Sequence, residues 1–176
     1  MNSKKIRLFI FVVVIAILGS VVFFFSTRLE SEPNYRGGKV VGRQAPNVEL
    51  ETLDGEMINL NDYQGKTVMI NFFNSWCIPC QEEEPALLEF SRQRESEDFV
   101  FIGIVRDDSE KNIREWAKGR ELPFIVAFDQ NEEAAIAFGT TGQPETYAIN
   151  PSGQVVASLL SRASVQTLNQ MWEAAR

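Results

Sequence analysis

Two cysteines three positions apart are the residues of this sequence best suited to chemistry. Cys77 and Cys80 lie in the stretch NFFNSWCIPCQEEEP, and the 176 residues include no other cysteine and no histidine. A closed structural zinc site usually takes four Cys or His ligands, which this sequence does not supply. The lack of histidine also excludes a cysteine–histidine hydrolase within one chain. We therefore predict that the pair binds no metal.

The pair could instead form a disulfide, either as a structural crosslink or as a redox centre. Closing so short a loop removes little unfolded-chain entropy, about 2 kcal/mol in the chain-entropy model. A crosslink placed for stability would join more distant segments. At the start of a helix, backbone N–H groups and the helix dipole favour a thiolate. We therefore favour a redox pair, in which Cys77 attacks and Cys80 resolves the mixed disulfide.

The patterns on either side of the pair predict an α/β fold. NVEL and EMINL flank Asp54-Gly55, which predicts a hairpin. A second hairpin is predicted from TYAI and QVVASLL. Apolar runs predict buried strands over 67–73, 99–105 and 123–128, and helices are predicted over 77–94, 108–119, 131–139 and 163–174. Together these elements predict a three-layer α/β/α domain with a mixed central sheet.

An uncharged run of 18 residues lies near the N-terminus, from Leu8 to Phe25. As a helix it would span about 27 Å, close to the hydrocarbon thickness of a bilayer. Lys4, Lys5 and Arg7 precede it, which predicts a cytoplasmic N-terminus. Small residues with the spacing of a signal-peptide cleavage site do not follow the run, so we favour an uncleaved anchor. The predicted organisation is a cytoplasmic stub (1–7), a transmembrane anchor (8–25), a linker (26–41) and a folded domain (42–176).

The charge distribution separates the N-terminus from the rest of the chain. Three of the 17 basic residues precede the uncharged run, whereas all 24 acidic residues follow it, so the part that follows carries a net charge of about −10. Such a charge disfavours nucleic acid and anionic lipid as partners. We predict a single-pass protein of the cell membrane whose folded domain is extracytoplasmic.

Two longer stretches carry a family resemblance. GRQAPNVELETLDGEMINLNDYQGKTVMINFFNSWCIPC begins at Gly42, and GQPETYAI spans residues 142–149. Together they resemble the thioredoxin superfamily, and within it the membrane-anchored TlpA/ResA/CcmG group. The resemblance implies a thioredoxin-like fold with an N-terminal β-hairpin and an extra β-α unit over 99–128. It also implies that Cys77–Cys80 is the redox disulfide.

The resemblance assigns roles to two residues next to the disulfide. Pro144 would follow a cis peptide bond and lie beside the cysteines. The backbone of Gln143 would then be free to pair with an extended substrate segment. Trp76 would shield the disulfide, although an aromatic residue at this position can also serve simple packing.

Three polar residues near the pair are further candidates. Thioredoxins carry a buried aspartate at the position of Asn71, and asparagine cannot accept and release a proton. The resemblance assigns a proton acceptor to Glu83, whereas helical spacing from Cys77 favours Glu84. We favour Glu83, because Pro85 disturbs regular spacing, and the alternative for both glutamates is a solvated helix face.

The resemblance implies a membrane-tethered thiol–disulfide oxidoreductase that reduces oxidised protein dithiols outside the cytoplasm. Apocytochrome c is the favoured substrate, because Pro-Glu-Thr from Pro144 is close to the cytochrome c maturation branch. A membrane dithiol carrier would supply electrons, since the sequence has no flavin or nicotinamide motif, and we predict no cofactor. One alternative is a thiol peroxidase, whose Pro-x-x-x-Thr pattern is replaced here at Ile70 and Asn74. Another is a thioredoxin-fold docking module without enzymatic activity.

Overall fold

The computed structural model describes residues 3–29, 39–94 and 98–176. The chain divides into two units, Met1–Pro33 and Asn34–Arg176. In the first unit, helix α1 (Ser3–Leu29) contains the uncharged run. Counting only residues whose side chains the structure describes, no helix is long and apolar enough to cross a membrane. The structure therefore does not show the anchor predicted over residues 8–25.

The predicted stub and linker lie partly outside the described residues. These parts are residues 1–2 of the stub and residues 30–38 of the linker. Residues 26–29 were predicted to begin the linker, but they continue α1 instead. The reason is local, because STRL contains neither proline nor glycine and the first residue that disfavours a helix is Pro33.

The second unit contains a mixed sheet within its described residues. The strands are β1 (Glu49–Thr52), β2 (Met57–Asn59), β3 (Thr67–Phe73), β4 (Phe99–Val105), β5 (Ile125–Phe128), β6 (Glu145–Ile149) and β7 (Val155–Leu159). They lie side by side in the order β2-β1-β5-β4-β3-β6-β7. β3, β4 and β5 are parallel, whereas the β1–β2 and β6–β7 hairpins are antiparallel. The sheet and both hairpins confirm the predicted α/β class.

Four α-helices and one short 3-10 helix complete the described part of this unit. The α-helices are α2 (Ile78–Arg92), α3 (Glu110–Ala117), α4 (Glu133–Phe138) and α5 (Val165–Ala175), and the 3-10 helix spans Leu60–Tyr63. Gly139 caps the C-terminus of α4 with a left-handed φ of 69°, as expected of a glycine that follows a helix. α3 is shorter than predicted, because the Ser109 side chain caps its start by accepting the Asn112 N–H.

Alternating side chains of β3 build the two faces of the sheet. Val68, Ile70 and Phe72 belong to the core that includes α4, whereas Met69 belongs to the core that includes α2 and α5. Because side chains of a strand alternate between faces, Asn71 lies on the same face as Met69. The strand therefore directs this asparagine toward α2, the helix that begins at the cysteines.

Candidate active site

Cys77 and Cys80 are joined by a disulfide at the start of α2. Cys77 is the N-cap residue, and its Sγ accepts a hydrogen bond from the backbone N–H of Cys80 at 3.2 Å. Pro79 lies in the first helical turn, where its missing N–H leaves no hydrogen bond unmade. The two cysteines are 6% and 5% exposed. A sulfur in this position is stabilised as a thiolate once the disulfide opens.

The segment that leads into β6 lies against Cys77. The peptide bond between Gln143 and Pro144 is cis, which confirms the predicted conformation. The Gln143 carbonyl oxygen lies 3.9 Å from Cys77 Sγ, although 66 positions separate the two residues. The antiparallel pairing of β3 with β6, which includes Phe72 opposite Glu145, sets this approach.

Glu83 is a buried carboxylate in α2, with 2% of its surface exposed. Its Oε1 accepts a hydrogen bond from Asn71 Nδ2 at 2.8 Å, and its Oε2 accepts the Ala163 N–H at 2.6 Å. Burial raises the pKa of Glu83 to about 7, against the opposing effects of these two donors and of the Arg162 charge. A carboxyl group with a pKa near neutrality can accept and release a proton.

Asn71 connects three elements of the site. Its Nδ2 also donates to Thr146 Oγ1 at 3.0 Å, so one side chain of β3 contacts both β6 and α2. The residue is fully buried, and its Oδ1 has no hydrogen-bond partner among the described residues. The structure therefore brings Asn71 and Glu83 together as a polar pair.

Glu84 points toward α3 instead. It forms an ion pair with Arg120 and accepts a hydrogen bond from Trp116 Nε1 at 3.2 Å. Its side chain also borders a small cavity that Cys80 and Asn71 line. Both glutamates therefore lie close to the cysteine pair in the helix, but a cation holds only the carboxylate of Glu84. Within the described ranges, no group of three or more acidic or cysteine side chains is arranged to hold a metal ion.

The sequence did not predict two carboxylates that contact the site segments. Asp108 accepts hydrogen bonds from the N–H and the hydroxyl of Ser75, at 2.7 and 2.6 Å. Trp76, which is 57% exposed, donates its indole N–H to the Asp107 carbonyl at 3.0 Å. Strand order could have indicated this contact of Asp108, because neighbouring parallel strands such as β3 and β4 bring the loops after them to one edge of the sheet. The predicted shielding of the disulfide by Trp76 stays a prediction.

The second unpredicted carboxylate is Glu145, which follows Pro144 directly and is 4% exposed. Its Oε1 accepts a hydrogen bond from the Tyr147 hydroxyl at 2.6 Å, and its Oε2 accepts one from the Thr141 N–H at 3.0 Å. The carboxylate therefore joins the two sides of the cis peptide bond and helps to fix the loop that contacts Cys77.

The sheet, the Cys-x-x-Cys disulfide at a helix start and the cis-proline beside it together define a thiol–disulfide oxidoreductase of thioredoxin-like fold. The sequence model of the AhpC/TSA family matches residues 41–158, and the chain belongs to this family. The comparisons with individual proteins agree with that class.

Two curated relatives are named thiol-disulfide oxidoreductase ResA. The protein of Bacillus cereus (strain ATCC 10987) is 28% identical over 167 residues, which cover 95% of each chain. That of Bacillus subtilis (strain 168) is 31% identical over 115 residues, 65% of this chain and 64% of its own.

Two solved structures have a similar fold. A thiol:disulfide interchange protein of the thioredoxin family from Chlorobium tepidum TLS superposes with a TM-score of 0.68, at 26% identity, over 75% of this chain and 94% of its own. The pneumococcal exposed lipoprotein thioredoxin of Streptococcus pneumoniae strain TIGR4 gives a TM-score of 0.65, at 25% identity, over 73% and 98%.

Proposed function

We propose that this chain is a membrane-anchored oxidoreductase that reduces protein disulfides outside the cytoplasm. The observation that carries the proposed chemistry is the position of Cys77 Sγ at the N-cap of α2, where it accepts the Cys80 N–H. This environment supports Cys77 as the attacking thiolate and Cys80 as the resolving thiol.

The proposed reaction transfers two electrons from the reduced pair to the substrate. The Cys77 thiolate attacks one sulfur of a substrate disulfide, forms a mixed disulfide and releases the other substrate sulfur as a thiolate. The Cys80 thiolate then attacks the sulfur of Cys77 and releases the second substrate thiolate. The substrate is reduced to a dithiol, and the Cys77–Cys80 disulfide is formed.

The resolving step requires Cys80 to lose its proton, and we assign the acceptor role to Glu83. Glu83 follows Cys80 by three positions in α2, a spacing that places two side chains on one face of a helix. Its pKa of about 7 leaves an appreciable fraction ionised at neutral pH. Asn71 supports this role by donating a hydrogen bond to the carboxylate without competing for the proton.

The loop that ends at Pro144 is the proposed docking site for the substrate backbone. The Gln143 carbonyl lies close to Cys77, so an extended segment that pairs with Gln143 would bring its own sulfur toward the thiolate. The Glu145 carboxylate holds this loop in place by binding the Thr141 N–H.

Two properties of the substrate system rest on sequence resemblance. Apocytochrome c is the favoured substrate because of the Pro-Glu-Thr sequence from Pro144, and a membrane dithiol carrier is the proposed electron donor. Two experiments test these properties. The first measures the reduction potential of the Cys77–Cys80 pair against a glutathione series, and the second identifies the partners that a Cys80→Ser chain holds as mixed disulfides. We expect a reducing potential and capture of an apocytochrome. An oxidising potential would contradict the proposed direction of electron flow.

The proposed location rests on the uncharged run over residues 8–25 and on the basic residues that precede it. We expect the full chain to stay in the membrane pellet after alkaline carbonate extraction and the folded domain to be digested by protease added outside spheroplasts. Deletion of residues 8–25 should release the chain from the membrane. Extraction of the full chain by carbonate, or protection of its domain, would contradict this location.

A thiol peroxidase is the second candidate. The family match favours it, as does the opening that begins at Ala45-Pro46, which peroxiredoxins share. Against it, the peroxidase pattern is replaced at Ile70 and Asn74, and Cys77 forms its disulfide with Cys80. Peroxide consumption by the reduced chain without an added thiol partner would favour the peroxidase.

A further inference from the structure

The loop after β4 runs alongside the segment that leads into Cys77. We call residues 106–108 the bracing loop. The Arg106 N–H donates to the Phe73 carbonyl at 3.0 Å, and the Asn74 side-chain amide donates to the Arg106 carbonyl at 3.3 Å. The bracing loop and the segment before Cys77 are therefore hydrogen-bonded to each other directly after β4 and β3 end.

Asp108 makes the shortest hydrogen bonds of the bracing loop. Its Oδ2 accepts the N–H and the hydroxyl of Ser75, and its Oδ1 accepts the Ser109 N–H at 2.8 Å and Asn112 Nδ2 at 2.9 Å. Partial burial tends to raise the pKa of Asp108, but the hydrogen bonds outweigh this effect and hold it below its usual value. The charged carboxylate thus joins the segment before Cys77 to the start of α3.

Asp107, the middle residue of the bracing loop, binds Trp76 through its backbone. Its φ of 54° is left-handed, which is uncommon for a residue other than glycine, and its carbonyl accepts the Trp76 indole N–H at 3.0 Å. This contact uses the backbone of Asp107 and not its side chain. Each residue from 73 to 76 consequently has a hydrogen-bond partner in the bracing loop.

We propose that Asp108 is a positioning residue for disulfide exchange, because it fixes Ser75 and, through the short backbone segment that follows Ser75, the place of Cys77 at the tip of α2. This inference rests on the proposed role of Cys77 as the attacking thiolate. The stabilisation of an anion at a helix N-terminus falls off within the first turn. A Cys77 displaced from the Cys80 N–H would therefore be a weaker nucleophile at neutral pH.

The loss of the Asp108 charge and the loss of its hydrogen bonds have opposite effects on Cys77. A nearby anion disfavours a thiolate, so removing the charge of Asp108 would by itself speed the reaction of Cys77. Removing the hydrogen bonds of Asp108 would displace Cys77 and slow its reaction. Asp107→Asn is the matched control, because it removes one charge from the neighbouring position and asparagine tolerates a left-handed φ. The backbone contact with Trp76 is then kept.

The test is the rate at which iodoacetamide labels Cys77 in reduced full chains that carry Cys80→Ser, measured across a pH series. We expect Asp108→Asn to label about five- to tenfold more slowly at neutral pH than the parent, with a higher thiol pKa. Ser75→Ala, which removes one of the four donors, should label about twofold more slowly. Asp107→Asn should label as fast as the parent or faster.

The outcomes separate this inference from the proposed function. If Asp108→Asn labels as fast as Asp107→Asn, Asp108 does not position Cys77. If Asp108→Asn loses the circular dichroism of the parent, Ser75→Ala decides, and an unchanged rate for that variant overturns the inference. A parent chain that labels no faster than glutathione contradicts the proposed role of Cys77 itself.

Discussion

The amide of Asn71 donates a hydrogen bond to the carboxylate of Glu83 at 2.8 Å, and both side chains are buried beside the redox disulfide. The pair combines a group that cannot titrate with one whose pKa burial raises to about 7. Under the proposed function, Glu83 of α2 accepts the proton that disulfide exchange releases, whereas Asn71 of β3 cannot.

The stability of the oxidised chain should fall as the pH rises from 4.5 to about 7. Glu83 has its ordinary pKa in the unfolded chain and a raised pKa in the folded one, so the folded state binds the proton more tightly across this window. The stabilisation is complete below the unfolded pKa and is lost as the pH passes through the folded pKa. The shift corresponds to about 3 kcal/mol of unfolding free energy.

Urea titrations followed by tryptophan fluorescence test this prediction at several pH values. Glu83→Gln should remove most of the pH dependence in the window, because glutamine does not titrate. Glu82→Gln is the control, since Glu82 is half-exposed and pairs with Arg162 at the surface, and it should keep the parent's dependence. Equal pH dependence in the parent and in Glu83→Gln would show that Glu83 has an ordinary pKa in the fold.

Glu83 and Glu84 should differ in their effect on turnover. We expect Glu83→Gln to slow the reduction of a peptide disulfide by about tenfold or more at neutral pH, because a positioned acid or base contributes at least that much. Glu84→Gln should change the rate by less than about twofold, since Arg120 already holds that carboxylate as an ion pair. Stopped-flow measurement of the single-turnover rate distinguishes the two variants. If Glu84→Gln slowed the reaction more than Glu83→Gln did, the proton acceptor would be Glu84 and not Glu83.

Tyr147→Phe should destabilise the fold, because it removes a hydrogen bond to the buried carboxylate of Glu145. The tyrosine hydroxyl donates to Glu145 Oε1 at 2.6 Å, and removing it leaves a buried carboxylate oxygen without that donor. The expected loss is about 1–3 kcal/mol of unfolding free energy, measured by urea titration. Tyr63→Phe serves as the control, because that ring is half-buried, and its change should be much smaller. Equal losses in the two variants would mean that the contact with Glu145 contributes little.

Local sequence patterns were sufficient for the elements that carry the cysteines. Thr67–Phe73 and Phe99–Val105 were predicted with the bounds that the structure shows, because each is an unbroken apolar run of the kind that a doubly covered parallel strand requires. The start of α2 was predicted at Cys77, and the structure places Cys77 at the N-cap and Pro79 in the first turn. Residues 26–29 were assigned to the linker, but they carry no signal that stops a helix and belong to α1 in the structure.

The contacts of Asp108 and Glu145 depend on information that local patterns do not contain. Asp108 contacts Ser75 only because β4 lies next to β3, and strand order is a property of the whole sheet. Glu145 contacts Thr141 across a cis peptide bond whose geometry no propensity describes. The choice of Glu83 over Glu84 likewise depended on resemblance, and the burial of Glu83 now gives it a physical basis.

The most direct test of the central claim compares how fast each cysteine attacks a disulfide when it is the only thiol in the full chain. Cys80→Ser and Cys77→Ser chains would be mixed with a peptide disulfide, and mixed-disulfide formation would be followed by quenching and mass spectrometry. We predict rapid formation on Cys77 in the first variant and a rate at least about a hundredfold lower on Cys80 in the second. The reason is that Cys77 Sγ accepts an N–H at the helix tip, where a thiolate is stabilised. Equal rates, or faster reaction of Cys80, would contradict the assignment of Cys77 as the nucleophile.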